Sequence, residues 1–103
     1  MDKSLKFFED IDVLCRQSIP EKVFLRGRQS LLDYIAVTCA GVKFQENKLK
    51  DYFAFAEPEA GKFKAIGTGK NLALKEAIFL NGLNAHALDF DDGTNSGIIH
   101  LGS

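Results

Sequence analysis

The sequence predicts an all-α fold of four or so packed helices, with at most a short strand near residues 63–66. Three observations carry this. Apolar residues recur at i, i+3, i+4 and i+7 in four separate stretches. The two prolines, Pro20 and Pro58, fall between those stretches and never inside one. Breaker residues crowd into a single segment, residues 59–71, and nowhere else.

The first helix spans residues 4–17, where Leu5, Phe8, Ile11, Leu14 and Cys15 share a face. Pro20 then sits where a first-turn proline belongs, with Glu21 beside it in the part of a helix that favours negative charge. The second helix therefore runs over residues 20–40. Its later half, "SLLDYIAVTCAG", is apolar nearly all round, which predicts a central, buried helix, and Gly41 is a natural stop. "FQENKLKDYFAFAEP" gives the third helix, with Phe44, Leu49, Tyr52, Phe53 and Ala56 on one side and Pro58 at its end. "EAGKFKAIGTGKN" is turn-rich and has room for the short strand. The fourth helix starts near Leu72. Leu74, Ala77, Ile78, Asn81, Ala85 and Leu88 form its periodic face. Asn81-Gly82 could mark a hairpin turn, but the helical period continues on both sides, so Gly82 reads as a close-packing point within the helix.

With 103 residues, 46% hydrophobic and 26% charged, the chain fits one globular domain with a single core. Its net charge of −1, with both signs interspersed, lacks the basic footprint of a nucleic-acid binder. The charged start "MDKSLKFFEDIDVL" is not a signal peptide. The longest apolar stretch, residues 31–42, is broken by Asp33 and falls short of the about 20 residues that span a bilayer. Cys15 and Cys39 have no metal-type spacing and read as reduced, buried thiols of a cytosolic protein.

The reactive side chains gather at the end, in "AHALDFDDGTNSGIIHLGS". Asp89, Asp91 and Asp92 repel one another and stand at a helix C-terminus, where the dipole disfavours negative charge. On a continuous helix His86 and Asp89 would meet on one face. Four readings of this corner stand side by side. Asp, Asn and Gly can simply end a helix and start a turn. Asp89, Asp91, Asp92 and His100 could hold Mg²⁺, although no second carboxylate cluster completes a cage. "DFDDGT" partly matches a phosphotransfer loop, but Gly93 stands where a threonine is needed and a helix precedes it. Finally, His86 or His100 with Asp89 could transfer protons, with Thr94 or Asn95 bonding an anionic substrate.

"AIFLNGLNAHALDFDDGTNSGIIHLGS" resembles the N-terminal helical region of the MmgE/PrpD family, which includes 2-methylcitrate dehydratases, cis-aconitate decarboxylases and iminodisuccinate epimerases. Asn81-Gly82, His86, Leu88-Asp89-Phe90-Asp91-Asp92 and His100 carry the resemblance, and "RQSLLDYIAVTCAG" is similar to an early helix of the family. The resemblance implies a cofactor-free, metal-free lyase or isomerase working on a small di- or tricarboxylate by acid–base chemistry beside a carboxylate. It implies Asp89 and His100 as catalytic residues, and Thr94, His86 and Asp92 as substrate-binding residues. It further implies that residues 1–103 are a single, incomplete helical domain, the N-terminal part of a longer cytoplasmic enzyme that is a homodimer when complete. The chain by itself is then expected to be inactive, its partners being the polycarboxylate and the rest of the enzyme. Two departures bear on the substrate: "HLGS" lacks the family's common proline after the histidine, and Ile98–Ile99 make the preceding loop apolar. The alternative is a stand-alone helical interaction module without catalytic activity, with the helix over residues 31–40 buried in a dimer.

Overall fold

The computed structural model describes residues 2–90 and residue 93. Four helices and one hairpin follow in the order α1 (Lys3–Arg16), α2 (Glu21–Phe44), α3 (Glu46–Ala56), β1 (Ala60–Ala65), β2 (Lys70–Leu72) and α4 (Leu74–His86). The mostly helical fold is therefore as the spacing predicts. The strand is longer than expected and has an antiparallel partner, in register Phe63↔Leu72, Lys64↔Asn71 and Ala65↔Lys70. Gly67 and Gly69 take positive φ in the connecting turn, and the Thr68 hydroxyl donates to the Ala65 carbonyl at 2.7 Å. Lys-Asn-Leu is too short for its alternation to show in the sequence.

Local chemistry sets the helix ends. Asp2 caps α1, its carboxylate accepting from the Ser4 amide at 3.0 Å. Pro20 is the N-cap of α2, one position before the first turn. Glu57 adopts a left-handed conformation (φ 44°) after α3, and Pro58 follows, which forbids continuation. Gly41 does not end α2. The helix continues one more turn to Phe44, because that glycine is buried where α4 crosses. Gly82 lies inside α4, so Asn81-Gly82 makes no hairpin.

The core is small. Leu49, Ala65, Leu72, Ala77 and Leu80 are buried together, with Val42, Tyr52 and Phe53 packed against them. The Tyr52 hydroxyl donates to Glu76 Oε2 at 3.1 Å. Burial first, then this bond to a carboxylate, raises the phenol above its ordinary range. Asn81 joins α4 to the hairpin: its Oδ1 accepts from the Ile66 amide at 2.8 Å and its Nδ2 donates to the Lys64 carbonyl at 3.1 Å. The inward face of α4 is Ala77, Leu80, Asn84 and Ala85, while Leu74 and Ile78 are exposed. The expected face was thus rotated, because apolar residues lie nearly all round this helix and its period alone selects no side. An Asn81→Leu substitution should cost about 2 kcal/mol, since it leaves one amide and one carbonyl of the hairpin turn unmatched. Urea melts would measure this; an unchanged midpoint would show that the hairpin docks without Asn81.

Much apolar surface is uncovered. Among the described residues α1 touches no other element, and the molecule measures 50 × 26 × 26 Å. Its radius of gyration of 16.9 Å exceeds the ~13 Å of a compact chain this long. Leu5, Phe7, Phe8 and Leu14 on α1, and Phe24, Leu31 and Leu32 on α2, are all more than half exposed. The later half of α2 is therefore not the buried helix its composition predicts; among the described residues only Thr38 and Gly41 of α2 are buried. Cys15 and Cys39 are free, as expected, but exposed, for the same reason. Among the described residues no helix is long and apolar enough to cross a membrane.

Candidate functional site

α4 delivers the acid-rich corner. The helix stops at His86, and Ala87 keeps helical angles while its amide donates to the Asn84 carbonyl at 3.3 Å. Asp89 then turns the chain: its φ is 55°, and its amide donates to the His86 carbonyl at 3.0 Å. Asp tolerates this left-handed conformation better than most residues. His86 and Asp89 are thus not on one continuous helix face, as the sequence suggested. They flank a tight turn, and both side chains are exposed. The turn-forming reading and the functional reading are compatible here, since the backbone that ends the helix also presents the carboxylate. An exposed carboxylate and an exposed imidazole three residues apart are both accessible for proton transfer. Asp91, Asp92, Thr94 and His100 lie outside the described residues, as does Asn95.

The corner is held from behind by α2. A Cβ on Gly41 would collide with the Asn84 carbonyl and stand 3.3 Å from the Ala87 Cβ. Asn84 itself is fully buried. Gln45, the residue that closes α2, donates its side-chain amide to Asn84 Oδ1 at 3.2 Å. Among the described residues Asn84 Nδ2 has no hydrogen-bond partner, a burden of about 1–3 kcal/mol. One turn earlier on α2, the buried Thr38 hydroxyl donates to the Tyr34 carbonyl at 2.6 Å. Sequence reasoning missed Asn84 as a site residue. The available signal was a polar residue at i+4 from Leu80 and i+7 from Ala77, both core positions.

A separate groove of about 530 Å³ lies between α2, α3 and the hairpin turn. Val42, Leu49 and Phe53 make it apolar; Lys43, Lys50 and Lys70 add cations. Glu46 pairs with Lys43 at 2.8 Å and with Lys50 at 3.6 Å. The hydrogen bond to Lys43 lowers the Glu46 carboxyl's proton affinity and raises that of Lys43. Among the described residues, neither His86 nor Asp89 lines this groove. Among the described residues, no group of three or more His, Cys, Asp or Glu is placed to hold a metal ion.

The α2–α4 crossing, the hairpin and the corner all fall within one homologous unit: the model of the MmgE/PrpD N-terminal domain matches residues 9–103. The chain belongs to the MmgE/PrpD family. No curated protein and no solved structure matches it. As an MmgE/PrpD N-terminal domain, the chain carries the match from within α1 through every later element and through the candidate residues Asp89, Asp92, Thr94 and His100. The acid-rich segment is thus part of the matched domain.

Proposed function

We propose that the chain is the N-terminal part of a cofactor-free lyase of the 2-methylcitrate dehydratase type, acting on a small di- or tricarboxylate in the cytoplasm. Asp89 and His100 exchange protons beside a substrate carboxylate, and Thr94, His86 and Asp92 bind or orient the substrate. The observation that carries the reading is the family match over the acid-rich corner, where Asp89 stands exposed on a turn at the end of α4. A hydro-lyase needs a base for the acidic C–H next to a carboxylate and an acid for the leaving hydroxide. A carboxylate and an imidazole are suited to these roles. Cationic groups that clamp the substrate's carboxylates come, on this reading, from the rest of the enzyme, in a homodimer.

The uncovered apolar faces support the need for further protein. A 14-residue helix such as α1 is marginal in water by itself. Its cap adds about 1 kcal/mol, and its exposed ion pairs Lys6–Asp10 and Asp12–Arg16 add only about 0.5 kcal/mol each. The same faces favour the second reading, an interaction module that binds a partner without catalysing anything. One experiment separates the two. Residues 1–103 are co-expressed with the remaining helical and lid segments of an MmgE/PrpD enzyme and assayed with 2-methylcitrate. Formation of the unsaturated tricarboxylate, absent with either component alone, is the expected result. A folded assembly without turnover on 2-methylcitrate, citrate or iminodisuccinate would leave only the interaction module.

A further inference from the structure

Asn84 is out of place by ordinary packing rules. It is fully buried, and half of its amide is unused: Gln45 satisfies Oδ1 at 3.2 Å, while Nδ2 has no acceptor among the described residues. Buried amide donors are nearly always paired, and a leucine of similar branched outline would avoid the burden. The location of this exception is informative. The Asn84 carbonyl is the point at which Gly41 touches α4, and it also accepts the Ala87 amide at 3.3 Å. Gln45 is tied in turn to α2, its own amide donating to the Gly41 carbonyl at 2.9 Å. The end of α2 and the end of α4 are therefore joined at one place by a backbone contact and an amide–amide bond. Two residues past Asn84, the His86 carbonyl receives the Asp89 amide.

We infer that Asn84 is a positioning residue: its bond from Gln45, together with the Gly41 contact, fixes the last turn of α4 and so places the turn that presents His86 and Asp89. A polar side chain with an unmatched donor is tolerated there because the position of the turn matters more than the stability lost. The inference rests on the acid-rich corner being the reactive end of the domain, but it concerns only the order of that turn.

The test uses the full 103-residue chain without substrate. Amide hydrogen exchange is followed by NMR in wild type, Asn84→Leu and Gln45→Ala. In Asn84→Leu the melting temperature should equal or exceed that of wild type. Protection of the Ala87 and Asp89 amides should fall tenfold or more, while Ala77 and Leu80 keep theirs. Gln45 is only half-buried, so Gln45→Ala folds irrespective of the core and should show the same local loss. Wild-type protection of Ala87 and Asp89 in both variants would overturn the positioning role. So would a uniform loss along α4 with a lowered melting temperature, which would make Asn84 an ordinary packing residue. Local loss of protection, combined with no turnover in the assembled enzyme, would keep the positioning role and discard the proposed reaction.

Discussion

Gly41→Ala should destabilise the chain by about 2 kcal/mol, whereas Gly27→Ala in the same helix should stabilise it by up to about 1 kcal/mol. Both glycines lie inside α2, and alanine is the better helix former at each. Around Gly27 there is nothing within 4 Å of the added Cβ, so only the helix-forming gain is felt. At Gly41 the Cβ would meet the Asn84 carbonyl, its carbon at 2.9 Å, with the Ala87 Cβ close behind. Backbone cannot step aside as a flexible side chain can, so α4 must shift off α2. That shift strains the Gln45–Asn84 bond and loosens the buried Leu80 and Ala85, and the loss outweighs the propensity gain. Urea midpoints of the two variants should therefore move in opposite directions. Movement in the same direction would mean that α4 does not cross α2 at Gly41.

The two glycines also show where the sequence is legible and where it is not. Helical periodicity, Pro58 and the breaker-rich segment are local signals, and they place the four helices to within a few residues. A glycine after an apolar run is locally ambiguous, since it can end a helix or admit a neighbour. Gly41 admits a neighbour that lies 43 positions further along the chain, and nothing beside it in sequence says so. Asn81 and Asn84 raise the same difficulty. Both interrupt an apolar stretch of α4, and their roles depend on partners in the hairpin and at the end of α2. The apolar run in the later half of α2 predicts burial that the described residues do not supply, because composition does not name a covering surface. At the corner, Asp, Asn and Gly offered a helix end and turn as one reading, but not where that turn begins. Extrapolating the helical period to Leu88 placed His86 and Asp89 on one face, although the helix ends at His86 and Asp89 takes a left-handed φ.

That left-handed φ makes Asp89→Asn the cleaner probe of the proposed chemistry. In the assembled enzyme this substitution should lower kcat by a factor of about 10² or more, the usual scale for a proton-transfer group. Asparagine shares aspartate's tolerance of positive φ, so the turn and the amide bond to the His86 carbonyl are kept. What is lost is the carboxylate proposed to accept the substrate's proton. Alanine would be a poorer choice, because forcing it into the left-handed region adds about 1–2 kcal/mol of strain and mixes a folding defect with a chemical one. If Asp89 transfers the proton, kcat should fall with KM nearly unchanged. If the carboxylate only shapes the corner, Asp89→Asn should turn over at close to the wild-type rate, and proton transfer would have to be assigned elsewhere. His100→Ala, at a position outside the described residues, should cost a similar factor through the complementary acid. Because acid and base act in one reaction, the double variant should lose less than the product of the two single losses. Independent, fully multiplicative losses would argue that Asp89 and His100 do not serve the same step.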